Sequence, residues 1–317
     1  MNASYVISSP SQIEPQHILS INDFNRSQIY QLLEQAKTWV NSTDELIAPA
    51  PLLANKTVIN LLFENSTRTR SSFELAAKRL GAVVLNFNAG ISSVRKGETL
   101  FDTVDNLAAM GADLFVIRHP EELAPAKVAA HLGQKAWVIN AGDGCNEHPT
   151  QALLDMFTIW RYKNDFTRLS VAIVGDIKHS RVAHSDLQAL TTLGVTDIRL
   201  VGPVELLPTT PLGSHVSLHQ DLQKGIKDAD VIIMLRIQKE RMQAAALPLA
   251  TDYFAQYGLT TDKLKFSKPD AIVMHPGPMN RGVEIESAVA DGEQSVILRQ
   301  VTFGIAVRMG LMVRLLT

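Results

Sequence analysis

Phe63-Glu-Asn-Ser-Thr-Arg-Thr-Arg-Ser-Ser-Phe-Glu74 has the pattern of a turn between a strand and a helix. It follows Thr57–Leu62, an apolar run short enough to be a buried strand. Ser66 or Thr67 is typical of a helix N-cap, since a short hydroxyl accepts hydrogen bonds from the first-turn N–H groups. Apolar residues then continue at helical spacing as far as Leu80.

The first turn of this predicted helix carries two arginines, Arg68 and Arg70. A helix N-terminus already has partial positive charge, so basic side chains are more often found at the other end. Two cations at the N-terminus therefore indicate a site for an anion such as phosphate. The alternative is an ordinary capped helix whose arginines are simply solvated.

The segment Ser66-Thr-Arg-Thr-Arg70 resembles the carbamoyl phosphate signature of the aspartate and ornithine carbamoyltransferase family. The motif is short, but it is specific when it lies between a strand and a helix. Later motifs extend the resemblance over nearly the whole chain and favour the aspartate branch. The resemblance implies an enzyme that binds carbamoyl phosphate first and an amino acid second, and then closes its two domains around them.

Size and composition exclude several other classes of protein. The chain has 317 residues, which suggests two domains, and its net charge of −2 gives no reason to expect nucleic acid or an anionic membrane as partner. No apolar run that is free of arginines approaches the length of a membrane span, and residues 1–17 lack a signal-peptide core. Cys145 is the single cysteine, so neither a disulfide framework nor a zinc site with His148 is expected. A reducing cytoplasm is the expected location.

Short apolar runs alternate with helical patterns along the whole chain, which predicts an α/β fold with parallel sheets. We expect two doubly wound parallel-sheet domains joined by long helices, and the resemblance implies that a C-terminal helix returns to the first domain. The predicted divisions are a mobile or partner-bound tail (1–16), a carbamoyl phosphate-binding domain (17–152 with 296–317) and an aspartate-binding domain (153–295). One strand is expected to end at Ile139, where residues 140–144 are polar and rich in glycine.

A first set of candidate residues follows the predicted strand ends, where parallel sheets bind ligands. Its members are Ser66, Thr67, Arg68, Thr69, Arg118, His148 and Gln151. Arg68 can clamp a phosphate through two N–H groups, and the backbone N–H groups of the turn add further donors. The resemblance assigns Arg118 and His148 to the carbonyl oxygen of the carbamoyl group, and Thr69 and Gln151 to holding that group. A lone histidine at a helix start is otherwise more often bonded to backbone.

A second set, Arg181, Arg236 and Gln238, is expected to bind the amino acid. A dicarboxylate needs two cationic clamps, and arginine provides bidentate geometry. Isolated arginines more commonly form surface salt bridges, and Glu240 is a possible partner here. The pattern Arg236-Ile-Gln-Lys-Glu-Arg241 resembles the aspartate-binding loop of the family. This implies that Arg181 and Gln238 bind the α-carboxylate and that Arg236 binds the β-carboxylate.

Two further motifs match the family. Ser92 and Lys96 lie in a polar, glycine-punctuated segment that resembles the loop reaching into the neighbouring subunit's site, although a solvated lysine is the simpler interpretation. Lys96 is therefore a candidate for both catalysis and aspartate binding. His275-Pro-Gly-Pro278 would supply the backbone carbonyl groups of Pro276 and Gly277 to the amino groups of the substrates.

The sequence thus predicts an enzyme that carbamoylates L-aspartate in pyrimidine biosynthesis without a cofactor or metal. The resemblance implies a homotrimer or a trimer-based assembly. Whether a regulatory or dihydroorotase-like protein binds to it is left open. One rival is a carbamoyltransferase for another amine such as ornithine, which Arg236 disfavours because it is a second cationic clamp. A second rival is a silent structural relative, which would be expected to have lost site residues. No residue is an obvious general base, so the phosphate leaving group is a candidate proton acceptor.

Overall fold

The structure is a computed structural model that describes residues 17–88, 97–210, 212–237 and 250–317. Two parallel sheets, each with packed helices, organise these residues. This confirms the predicted fold class, whereas the predicted tail at 1–16 lies outside the described residues.

The first sheet has four strands in the order β2-β1-β3-β4, and each neighbouring pair is parallel. Buried apolar side chains dominate its central strands, as expected for a sheet covered on both faces. The elements of this half are α1 (Arg26–Lys37), β1 (Thr57–Leu62), α2 (Thr67–Arg79), β2 (Val83–Asn88), α3 (Leu100–Ala109), β3 (Leu114–His119), α4 (Ala124–Leu132), β4 (Trp137–Asp143) and α5 (Pro149–Lys163).

The second sheet has five strands in the order β7-β6-β5-β8-β9, and its pairs are also parallel. Its elements are β5 (Ser170–Val174), α6 (Arg181–Leu193), β6 (Asp197–Val201), β7 (Val216–His219), α7 (Leu222–Ile226), β8 (Val231–Met234), α8 (Ala250–Tyr257), α9 (Thr261–Leu264), β9 (Ile272–Met274) and α10 (Ser287–Ala290). The sequence patterns did not identify β7, which is a short edge strand without a fully buried position.

The prediction that β4 ends at Ile139 was wrong, because the strand continues to Asp143. Side chains in this polar segment form hydrogen bonds with the backbone of the same segment and with one another. Asn140 Oδ1 accepts from the N–H of Gly142 at 2.8 Å, and Asn140 Nδ2 donates to Asp143 Oδ1 at 2.9 Å. The register against β3 also shifts between Ile117 and His119, so the extended backbone persists through an irregularity.

A long helix, α11 (Ile297–Leu316), follows the second sheet and packs against α1, α2 and α5 of the first half. Phe303 meets the ring of Phe157 edge-on at a centroid distance of 5.1 Å, and both side chains are fully buried. The guanidinium of Arg308 lies 4.8 Å from the ring centroid of Phe73. The chain therefore returns to its first domain, as expected. Within the described ranges, no helix is both long enough and apolar enough to cross a membrane.

Candidate active site

The turn between β1 and α2 forms one wall of the site. Ser66 is the N-cap of α2, and its hydroxyl accepts from the Thr69 N–H at 3.3 Å and donates to Thr69 Oγ1 at 2.8 Å. The cap fixes the first turn, so Arg68 projects from a defined backbone position at the positive end of the helix. Partial burial lowers the pKa of the Arg68 guanidinium, and the positive charge of Arg236 lowers it further.

A cavity of about 290 Å³ lies between this turn, α5, α11 and the segment after β9. A pocket of this size can hold a small phosphorylated substrate. Seven predicted site residues line it: Ser66, Arg68, Thr69, His148, Gln151, Pro276 and Gly277. Thr67, Arg118, Arg181 and Arg236 do not line this cavity, so the predicted site extends beyond it.

Arg68 and Gly277 bring the two domains into contact at the cavity. Gly277 has a φ of +70°, and a Cβ on it would lie 2.7 Å from Cζ of Arg68. The arginine therefore rests against bare backbone, which is a reason for glycine here beyond its conformational freedom. The positive charge of Arg236, two residues past the end of β8, also lowers the pKa of Arg68. The charges of these two arginines, one from each domain, therefore interact.

Glu64 connects two of the predicted arginines. Its Oε2 lies 2.9 Å from Nε of Arg118, at the end of β3, and 2.6 Å from Nη2 of Arg181, at the start of α6. Arg181 also donates to the carbonyl of Gly144 at 3.2 Å and is 3% exposed. One carboxylate therefore bridges a carbonyl-binding candidate in the first domain and a carboxylate-binding candidate in the second. Sequence reasoning missed Glu64, because both arginines that it meets lie far away along the chain.

His148 is the N-cap of α5 and is almost completely buried. Its backbone N–H donates to Ser185 Oγ on α6 at 2.9 Å. Burial, and then the positive charges of Arg118, Arg181 and Arg308, hold the pKa of the imidazole well below its usual range. The ring is therefore neutral near neutral pH, and it can donate one hydrogen bond to a carbonyl oxygen without carrying charge.

The segment after β9 is fixed by the side chain of its own histidine. His275 Nδ1 accepts from the Gly277 N–H at 2.8 Å, so the ring proton belongs on Nε2, which lies 3.2 Å from Glu284 Oε1. The His275 N–H donates to Gln300 Oε1 on α11 at 2.9 Å. These bonds fix the segment that contains Pro276 and Gly277, both of which line the cavity.

Three predicted site residues, Ser92, Lys96 and Gln238, lie outside the described residues. Sequence reasoning also missed Asp155, Gln300 and Arg308, which are buried around the cavity floor. Among the residues that the structure describes, no cluster of three or more histidine, cysteine or acidic side chains could hold a metal ion.

Comparisons with known proteins agree with this geometry. The carbamoyl phosphate-binding domain model of aspartate/ornithine carbamoyltransferases matches residues 16–161, and the aspartate/ornithine-binding domain model matches residues 167–315. Aspartate transcarbamoylase from Trypanosoma cruzi, solved with carbamoyl aspartate and phosphate, is 33% identical with a TM-score of 0.85, over 96% of each chain.

The same enzyme solved with carbamoyl phosphate and aspartate is 32% identical with a TM-score of 0.85, over 96% of this chain and 97% of that one. Its complex with N-(phosphonacetyl)-L-aspartic acid gives 33% identity and a TM-score of 0.86, over 96% of each chain.

Proposed function

The chain belongs to the aspartate/ornithine carbamoyltransferase family, and we propose that it transfers the carbamoyl group of carbamoyl phosphate to L-aspartate. The products are N-carbamoyl-L-aspartate and phosphate, at the committed step of pyrimidine biosynthesis. The observation that carries the proposal is the cavity whose lining brings Ser66 and Arg68, at the start of α2, together with His148 and Gln151. Similar structures have been solved with carbamoyl phosphate and aspartate, and with carbamoyl aspartate and phosphate.

We assign the phosphate of carbamoyl phosphate to Ser66, Thr67, Arg68 and Thr69. The first-turn N–H groups and the guanidinium favour an anion, and they favour it more strongly as it leaves with added charge. Arg118, His148 and Thr69 would donate to the carbonyl oxygen, which becomes negative when the amine attacks the carbon. A neutral imidazole suits this role because it donates without repelling the neighbouring arginines.

In the transfer itself, the aspartate nitrogen forms a bond to the carbamoyl carbon, and the bond from that carbon to the phosphate oxygen breaks. The nitrogen loses a proton, and the departing phosphate can accept it. Closure of the domains would hold the reacting atoms together and exclude water, which competes as a nucleophile.

We assign aspartate to the cationic side of the site. Arg181 and Gln238 would bind the α-carboxylate and Arg236 the β-carboxylate, with Lys96 as a further cation. Arg181 is paired with Glu64 in this structure. We therefore infer that the substrate carboxylate either displaces Glu64 from Arg181 or binds beside it. Ornithine would place an ammonium group among these cations, which disfavours it as acceptor.

A product assay tests the proposed function directly. The purified protein is incubated with carbamoyl phosphate and either L-aspartate or L-ornithine, and the carbamoyl amino acid is measured colorimetrically. We expect product with aspartate and only the enzyme-free background with ornithine. Faster carbamoylation of ornithine, or no product with either amino acid, would refute the proposal.

We further propose that the protein acts in the cytoplasm as a homotrimer or trimer-based assembly. The single cysteine supports a reducing compartment. In the described part of the chain, β2 is an edge strand with Val83 55% and Leu85 46% exposed. Exposed apolar side chains along a sheet edge favour a protein partner, and a second copy is the simplest one. A regulatory or dihydroorotase-like partner remains a separate proposal.

A shared active site makes a quantitative prediction. The segment between β2 and α3 carries Ser92 and Lys96, and we propose that it completes the site of the neighbouring chain. Trimers of Arg68→Ala and of Lys96→Ala should each be nearly inactive. Dissociated, mixed equally and reassembled, they should recover about a quarter of native activity, because a good site needs two intact contributions that each occur with probability one half.

Activity of the reassembled mixture is measured against each parent treated in the same way. If every chain carried a complete site, all sites in the mixture would be damaged. A mixture as inactive as its parents would therefore contradict the shared site.

A further inference from the structure

Two buried carboxyl groups, which the reaction described above does not use, lie beneath the cavity. Asp155 on α5 and Asp186 on α6 are both 0% exposed, and Arg308 on α11 is 4% exposed. Buried ionisable groups are costly unless they are paired or hydrogen-bonded, so this cluster needs a physical explanation.

Asp155 accepts hydrogen bonds from two glutamine amides. Gln151 Nε2 lies 3.1 Å from both carboxyl oxygens, and Gln300 Nε2 lies 2.7 Å from Oδ1. An ionised carboxylate only accepts, so each glutamine must turn its NH₂ group towards it and its oxygen away. The oxygen of Gln300 then accepts from the His275 N–H, and the oxygen of Gln151 is left to the cavity, which both glutamines line.

Asp186 is the second carboxyl group of the pair. Neither of its oxygens has a donor among the described residues, yet its carboxyl group is in hydrogen-bond contact with Asp155. Burial raises the pKa of Asp155 to about 7, although its amide contacts and the nearby guanidinium of Arg308 oppose that rise. Two touching carboxyl groups are not both charged, so the pair shares a proton, and the hydrogen-bond donors around Asp155 favour the proton on Asp186. Burial, and then the charge of Asp155, hold the pKa of Asp186 well above its usual range.

We propose that Asp155, through its hydrogen bonds with Gln151 and Gln300, is a positioning residue that makes the cavity selective for a carbamoyl group. It fixes Gln151 with its oxygen towards the substrate NH₂. Through Gln300 it also holds the His275 segment, whose Pro276 carbonyl is a second acceptor for the same NH₂. A ligand with a methyl group in place of the NH₂ would gain nothing from either acceptor. This inference rests on the proposed function, because it concerns recognition of carbamoyl phosphate.

A matched pair of stable ligands tests the proposal. Phosphonoacetamide has an NH₂ group where acetonylphosphonate has a methyl group, and both carry the same phosphonate. Their dissociation constants are measured by titration calorimetry for the wild-type protein, Asp155→Asn and Asp186→Asn. The readout is the ratio of the two constants, since a general loss of folded structure weakens both ligands equally.

We expect Asp155→Asn to weaken phosphonoacetamide roughly 10- to 100-fold and acetonylphosphonate by less than about 3-fold, because a new N–H group turns a glutamine oxygen away from the ligand. Asp186→Asn is the conservative control, since its amide N–H replaces the carboxyl proton. It should keep the wild-type ratio. If Asp155→Asn does not fold, Gln300→Met breaks the same chain of bonds and should reduce the ratio in the same direction.

The outcomes separate this inference from the proposed function. A wild-type protein that does not prefer phosphonoacetamide would refute carbamoyl recognition itself. A normal preference that survives in Asp155→Asn, or in Gln300→Met where the first variant does not fold, would overturn the positioning role alone. A loss of the preference in Asp186→Asn as large as in Asp155→Asn would overturn the assignment of the proton.

Discussion

Replacing Arg68 with alanine should lower kcat/KM by a factor of roughly 10² to 10³, corresponding to about 3 kcal/mol or more of transition-state stabilisation. The guanidinium lies at the positive end of α2 and lines the cavity. It opposes the charge that accumulates on the phosphate as the bond to the carbamoyl carbon breaks. Steady-state kinetics with both substrates varied measure this loss.

Arg168→Ala is a suitable control for the loss of one positive charge, because the Arg168 side chain is 90% exposed. Its kinetics should match those of the wild-type protein. The thermal unfolding midpoints of both variants should stay near that of the wild-type protein, since the Arg68 side chain lines a cavity and is not packed in the core. Near-normal turnover by Arg68→Ala would remove the basis for the phosphate assignment.

Replacing Arg236 with alanine should reduce the use of aspartate about as severely, by roughly 10²-fold in kcat/KM, if the guanidinium is one of two carboxylate clamps. Carbamoyl phosphate affinity should stay within about 3-fold of wild type, because this clamp contacts the second substrate only. Equilibrium titration with carbamoyl phosphate and kinetics with aspartate are both required.

Arg281→Ala is the matched control, since Arg281 is a second-domain arginine whose guanidinium pairs with exposed Asp291. It should leave both measurements unchanged. A collapse of carbamoyl phosphate affinity in Arg236→Ala would mean that Arg236 belongs to the phosphate side of the site or supports the structure.

Local patterns made the framework of the protein predictable. The family inferred from Ser66-Thr-Arg-Thr-Arg70 is confirmed, and so is the pair of parallel sheets. Ser66 could be identified as a cap because capping depends on a side chain and a backbone separated by three residues. The assignments of individual site residues and the domain boundaries stay predictions.

Contacts between distant parts of the chain were not predictable in the same way. Glu64 meets Arg181 across 117 positions, and Gln300 meets Asp155 across 145. These pairs depend on how helices pack, and no local pattern encodes that. The error at the end of β4 has a related cause, because glycine and polar residues usually end a strand unless side chains satisfy the backbone, as Asn140 does.

The return of α11 to the first sheet has a consequence for biosynthesis. A ribosome releases β1 to β4 well before Ile297–Leu316, and the whole second sheet is translated in between. Domains tend to fold in the order in which they emerge, but the first one here must wait for a helix that emerges after the second. Until then, the apolar faces of α1, α2 and α5 that α11 covers are open to other chains. The nascent protein should therefore be a substrate for chaperones during translation, even though its finished core is well packed.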